Sequence, residues 1–252
     1  MRTPEVTRGL GEASKPRCHT TGIVSDRLRI SEIFSSVQGE GIWMGVPSVF
    51  VRASGCNLRC AWCDTPYASW HPEGPVREVS AVAEEVIATG IRHAVLTGGE
   101  PMLFDGIITL AARLKEEGMT ITVETAGTLH REMACDLMSI SPKLSHSTPE
   151  DPAWGPRHEA LRLQPEALSR LIRDYDHQLK FVIVNDSDLA EIDALLSLLP
   201  PVQPDRILLM PEGRDAAALW SRMRELVPLA MARGWRLAPR MQIDLFGDTK
   251  GT

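Results

Sequence analysis

The 252-residue sequence contains no apolar run approaching the roughly 18 residues that cross a bilayer, so no membrane-spanning helix is expected. Its opening stretch, Met1 to Gly22, lacks the apolar core of a secretory signal. That stretch is polar and rich in Gly, Pro, Ser and Thr, and it reads as a flexible tail over residues 1–27. An excess of basic charge is also missing. The 27 Lys and Arg residues against 33 Asp and Glu leave a net charge of −6, which argues against a broad nucleic-acid face. Small anionic ligands remain open, because a few local Arg and Lys side chains suffice for them. Evenly spread cysteines are absent as well. There are five, three of them within eight residues, and an odd count with a tight cluster suits a reduced, cytoplasmic protein rather than a disulfide scaffold. Cys18 reads as incidental and Cys135, in an apolar stretch, as a packing residue.

What is present fits an ordinary globular chain: 43% hydrophobic and 24% charged residues, in a length that supports one sizeable domain over residues 28–252. Leu28–Ser35 alternates as a strand, Gln38–Gly41 is a turn, and β-branched Ser48–Arg52 is a second strand. A helix is expected from an N-cap at Ser80 to Gly90, and another from Asp105 to Gly118. Pro165 suits the first turn of a helix reaching Asp174, and Asp186 or Ser187 caps the next one, a better reading of the run Asn185 to Asp188 than a metal loop. Asp215–Arg233 is a long helix with Leu219, Met223 and Leu226 as its core stripe. Strands at 94–96, 120–124, 137–140, 179–184, 207–210 and 235–237 alternate with these helices, which means parallel β/α packing. The stretch 144–162, rich in Pro, Ser and His, reads as a long surface loop with a functional role.

The chemistry concentrates in Cys56-Asn-Leu-Arg-Cys60-Ala-Trp-Cys63, a CxxxCxxC spacing on a loop leaving the second strand. Three thiolates this close can converge on one soft metal centre. A structural zinc site wants four protein ligands, and no second cysteine pair exists; His71, followed by Pro72, is a poor fourth. A [4Fe–4S] cluster on three cysteines would leave one iron open for a ligand. Downstream, Gly98-Gly99-Glu100-Pro101 follows a strand, and its glycines let backbone approach a ligand closely.

CxxxCxxC with an aromatic, Trp62, before the last cysteine, followed by GGEP, resembles the radical S-adenosylmethionine superfamily. The blocks EIFSSVQGEG (32–41), GVPSVFVRASGCNLRCAWCDTPYAS (45–69), LTGGEPML (96–103), VETAGT (123–128), SPKLS (141–145), QLKFVI (178–183), LLMPEG (208–213) and the final PRMQIDLFGDTKGT are similar, in order, to the 7-carboxy-7-deazaguanine synthase family. The resemblance implies a partial parallel (β/α)6-type barrel with a reduced helical layer. It also implies ring contraction of 6-carboxy-5,6,7,8-tetrahydropterin with loss of ammonia, a lyase step toward queuosine. The implied cofactors are a [4Fe–4S] cluster on Cys56, Cys60 and Cys63, S-adenosylmethionine, and Mg²⁺ on Thr65. Implied cofactor contacts are Trp62, Cys63, Asp64, Gly99, Ser141, Pro142 and Lys143, with Glu124 near the ribose. Implied substrate contacts are Val37, Gln38, Gly39, Arg52 and Thr97, with Glu40 beside them. An electron donor such as a flavodoxin-like protein and a homodimer are implied too, and no nucleic acid or membrane.

Two positions depart from the family pattern. Gln242 stands where many members carry His, and Phe246 where many carry Trp. Glutamine donates and accepts but does not titrate, so no acid–base step is assigned to Gln242. The competing resemblance is to glycyl-radical activating enzymes, which share CxxxCxxC and GGEP but act on a partner protein. The QGEG turn and Thr65 favour the synthase.

Overall fold

The structure is a computed structural model, and it describes residues 25–252. Of the tail expected over residues 1–27, residues 1–24, with Cys18, lie outside the described residues, and Arg27 already belongs to the first strand. The chain runs β1 (Arg27–Val37), β2 (Pro47–Ala53), β3 (Val76–Glu78), α1 (Val79–Ala88), β4 (His93–Gly98), α2 (Asp105–Glu116), β5 (Thr120–Thr125) and β6 (Leu137–Ile140). It continues through α3 (Gly155–Arg162), α4 (Pro165–Asp174), β7 (His177–Ile183), α5 (Asp188–Leu196), β8 (Ile207–Pro211), α6 (Ala216–Arg233), β9 (Arg236–Leu237) and α7 (Met241–Phe246). Among the described residues no helix is long and apolar enough to cross a membrane.

One nine-stranded sheet holds these elements together in the order β3-β1-β2-β4-β5-β6-β7-β8-β9. From β2 to β9 every pairing is parallel, whereas β1 runs antiparallel to both β2 and β3. The sheet is open, as the partial-barrel expectation requires, and the short strands β3 and β9 are its edges. Strands buried on both faces need near-continuous apolar sequence, and β2, β4, β7 and β8 supply it, while β5 alternates threonine with Ile121 and Val123. Val49, Val51, Leu96, Ile121, Val123, Ile140 and Phe181 form the centre of the core. Helices α1 and α2 pack on one another, and α6 covers β8 and β9. No helix links β5 to β6, which accounts for the reduced helical layer.

Several local expectations are corrected. Ser80 does not cap α1: β3 runs straight into the helix, and Glu78 stands at the N-cap without a side-chain bond to the helix amides. Asp105 lies inside the first turn of α2, after Phe104 at the cap, and there it complements the helix dipole. Ser187 does stand at the N-cap of α5, but its side chain makes no cap bond. Oδ2 of Asp188 accepts the amides of Val184 and Asn185 at 2.8 and 3.1 Å. Asp215 does cap α6, accepting from the amide of Ala218 at 2.8 Å. The stretch 144–162 is not a surface loop throughout. It contains α3 and buries Ser147, His158 and Arg162. Cys135 packs against the core as expected, and burial pushes its thiol up to about 12.

Candidate active site

Parallel strands deliver their C-terminal ends to one face of the sheet, and the loops there share a cavity of about 580 Å³. The loop after β2 brings Cys56, Cys60, Trp62, Cys63, Asp64 and Thr65 to its wall. The hairpin between β1 and β2 brings Val37, Gln38, Gly39 and Glu40. Arg52, Thr97, Gly99, Glu124, Ser141 and Lys143 come from strand ends. Every residue expected at the site lines this cavity except Pro142, which is buried behind the wall between Ser141 and Lys143. His71 is exposed and away from it.

The cysteine loop is held by bonds to its backbone, while its three cysteines line the cavity. The amide of Arg59 donates to Nδ1 of His158 at 3.1 Å, and the amide of Ala61 to the carbonyl of Ser147 at 2.9 Å. Nη1 of Arg59 bonds the carbonyls of Cys56 and Leu58, and Nη2 of Arg214 bonds that of Cys63 at 2.7 Å. Burial pushes the Cys56 thiol up to about 12 and the Cys60 thiol to about 11, with the neighbouring sulfurs adding to it. Thiolates there therefore need strong positive charge beside them, which iron supplies. Cys56, Cys60 and Cys63 line one cavity wall. Three thiolates without a fourth protein ligand suit an iron–sulfur cluster with an open iron better than a closed structural zinc site.

The turn after β4 needs its glycines. A Cβ on Gly98 would fall 2.2 Å from the carbonyl of Ala53, and one on Gly99 would fall 2.4 Å from that of Gly55. Glu100 then turns away from the cavity. It is fully buried, and burial raises its carboxyl against bonds from Thr125 Oγ1 and the amides of Met102 and Ala126. These bonds tie the end of β4 to the end of β5.

On the opposite wall the Gln38–Gly41 turn is closed by bonds between Gln38 and the Gly45–Val46 backbone. Gln38 Nε2 donates to Glu124 Oε1 at 3.2 Å. The carbonyl of Gly39 accepts from the amide of Met241 at 3.0 Å. A Cβ on Gly39 would lie 1.9 Å from Oε1 of Gln242, so glycine there is a packing requirement. Arg52 is anchored through Nε, which donates to Glu32 at 2.5 Å, and Glu32 also accepts from the hydroxyl of Tyr67 at 2.9 Å. Thr65 Oγ1 lies 3.9 Å from the sulfur of Cys63.

A buried charge network not anticipated from the sequence joins the two walls. Lys180 pairs with Oε2 of Glu40, while Arg240 and Gln242 donate to its Oε1 at 3.2 and 2.8 Å. Arg240 also reaches Asp64 on the cysteine loop at 2.7 Å. Burial alone would raise the Glu40 carboxyl, but Lys180 and Arg240 outweigh it and hold it well below the usual range. The signal in the sequence was a lysine inside the apolar strand segment QLKFVI, since buried charge is nearly always paired.

Comparisons with known proteins agree with this geometry. Residues 50–147 match the family model of the Radical SAM superfamily. The chain is 44% identical over 238 residues to the 7-carboxy-7-deazaguanine synthase of Halobacterium salinarum, covering 89% of this chain and 93% of that protein. It is 43% identical to the synthase of Rhodopirellula baltica, covering 89% of each. The crystal structure of QueE from Escherichia coli superposes with a TM-score of 0.65 at 26% identity, over 85% of this chain and 94% of that one. The three-cysteine loop, the cavity at the strand ends and these likenesses lead to one conclusion: the chain belongs to the 7-carboxy-7-deazaguanine synthase family of radical S-adenosylmethionine enzymes.

Proposed function

We propose that this protein converts 6-carboxy-5,6,7,8-tetrahydropterin to 7-carboxy-7-deazaguanine with loss of ammonia, as a cytoplasmic enzyme whose residues 28–252 act as one domain. The observation that carries this reading is convergence: the cysteine loop, the Gln38–Gly41 turn and Arg52 line a single cavity. An enzyme that activates a partner protein has no need of such a small-molecule wall beside its cluster, which disfavours the glycyl-radical alternative.

Cys56, Cys60 and Cys63 would hold a [4Fe–4S] cluster, which with S-adenosylmethionine supplies a 5′-deoxyadenosyl radical when reduced. The chain's own residues then bind and orient. Gly99 gives the close backbone approach a cofactor amino group needs, while Trp62, Asp64, Ser141, Lys143 and Glu124 line the cofactor end. Pro142, set behind the wall, shapes the strand end rather than touching ligand. Arg52 is held by Glu32 through Nε alone, which leaves the outer edge of its guanidinium to take the pterin carboxylate bidentately. Val37, Gln38, Gly39 and Thr97 contribute the substrate wall. The Gly39 amide has no protein partner among the described residues and lines the cavity, so it is available as a backbone donor to the ring.

Thr65 is proposed as a Mg²⁺ ligand. With this one hydroxyl from the protein, the ion would complete its shell with substrate oxygens and water, as Mg²⁺ prefers. A flavodoxin-like electron donor and a homodimer are proposed on the family resemblance alone. The test is anaerobic turnover of the carboxylated pterin with a reduced cluster, with and without Mg²⁺, read by mass spectrometry. Formation of 7-carboxy-7-deazaguanine supports the reading, with the Mg²⁺ arms reporting on Thr65; intact substrate in every arm defeats it.

A further inference from the structure

Trp62 is the one large side chain between Cys60 and Cys63, and its indole is anchored from outside the loop. Nε1–H donates to Nδ1 of His146 at 3.0 Å, with the two rings 5.6 Å apart and tilted by 32°. An indole nitrogen only donates, so His146 accepts through Nδ1 and carries its proton on Nε2. That Nε2–H donates to the carbonyl of Val182 on β7 at 3.1 Å. Oδ2 of Asp188 lies 3.5 Å from the same nitrogen, and Asp188 is itself fixed by the Val184 and Asn185 amides. On the other side, the Lys143 ammonium stands 5.7 Å from the Trp62 ring and is tied to Ser141 Oγ at 2.8 Å.

His146 thus transmits the position of β7 and the start of α5 to a ring on the cavity wall. The backbone before Trp62 is pinned at Arg59 and Ala61 and the carbonyl after it at Cys63, so what His146 adds is a hold on the indole itself. A side chain ordered before its ligand arrives spares the ligand that ordering cost.

We infer that His146 is a positioning residue for S-adenosylmethionine: it fixes the Trp62 indole and so shapes the cofactor end of the cavity before the cofactor binds. This rests on the radical enzyme reading above, and the test separates the two. The dissociation constant for S-adenosylmethionine is measured by anaerobic equilibrium dialysis on the cluster-loaded protein, with a thermal melt to establish folding. His146→Phe, or His146→Leu if the phenyl ring does not fit, removes the acceptor and raises Kd roughly three- to tenfold, the worth of one hydrogen bond. The turnover number at saturating cofactor stays within about twofold of wild type, since the reacting atoms are untouched. His146→Asn, which keeps an acceptor near Nδ1, restores most of the affinity. In a Trp62→Phe background, which has no indole donor, the His146→Phe change adds nothing. An unchanged Kd in His146→Phe overturns the inference, and so does an equal rise in the Trp62→Phe background, because either outcome removes Trp62 from the linkage. Wild-type protein that does not bind S-adenosylmethionine overturns the radical reading instead.

Discussion

Replacing Lys180 by Met tests the buried network that joins the substrate turn to the cysteine loop. Lys180 is 7% exposed, and its partner Glu40 has a side chain 14% exposed. Oε1 of Glu40 would keep Arg240 and Gln242, whereas Oε2 would lose its one partner, Lys180. Removing one member of a buried pair costs about 3–5 kcal/mol when the other is stranded. With half of the carboxylate still paired, the expected loss is about 2–3 kcal/mol, or roughly 5–10 °C in the melting midpoint of a chain this size. Adding Glu40→Gln to Lys180→Met removes the stranded charge and recovers part of that loss.

The pH dependence has a definite sign. Glu40 is held below the ordinary value of 4.5, so its contribution is complete above that pH and lost as the pH falls through the folded value. Lys180→Met raises the folded value back toward 4.5, so the gap between wild type and variant narrows on acidification. The assay is thermal unfolding of anaerobically prepared protein from pH 7 down to about pH 3, into the range below 4.5 where the narrowing occurs. A Lys180→Met protein within about 0.5 kcal/mol of wild type, or a double variant no better than the single one, refutes the reasoning.

Three further outcomes follow from single contacts. Arg52→Lys keeps the charge but loses the planar fork, and is expected to raise the KM for the pterin by at least about tenfold, measured in steady-state turnover. Gly39→Ala drives a methyl into Gln242 Oε1 and close to the Gln242 backbone nitrogen, so it weakens pterin binding; Gln242→Ala in the same chain restores part of it, as isothermal titration would show. His93 is buried between the hydroxyls of Ser48 and Thr122, each at 2.8 Å, and burial pushes it down to about 4 from 6.5. Because the unfolded chain then binds more protons between those values, His93 costs about 1 kcal/mol of stability as the pH falls from 7 to 5, after allowance for partial solvation. Denaturant unfolding at both pH values, with His93→Gln as the variant that flattens the slope, measures it.

How much of this was legible depended on sequence distance. The cysteine loop, the GGEP turn and SPK are local motifs, and parallel topology alone sends their strand ends to one face. The Glu40–Lys180–Arg240 network was not legible, because its members lie 140 and 200 positions apart and only a lone lysine in an apolar strand marked it. Strand β3 and helix α7 have three and six residues, too few for a period to show. The stretch 144–162 misled through its Pro, Ser and His content. Those polar residues are there to hold the cysteine loop: Ser147 and His158 are fully buried, and each bonds the loop backbone. His158 is accordingly kept neutral, pushed by burial and by Arg162 down to about 4.

The central claim is that Cys56, Cys60 and Cys63 hold a cluster with one iron open to S-adenosylmethionine. Electron paramagnetic resonance of the reduced, reconstituted protein, with iron counted on the same sample, addresses it directly. The account predicts about four irons per chain, a [4Fe–4S] signal that shifts when S-adenosylmethionine is added, and loss of that signal in Cys60→Ser. Bound zinc in place of iron, a spectrum indifferent to S-adenosylmethionine, or a Cys60→Ser protein with its cluster intact would contradict it.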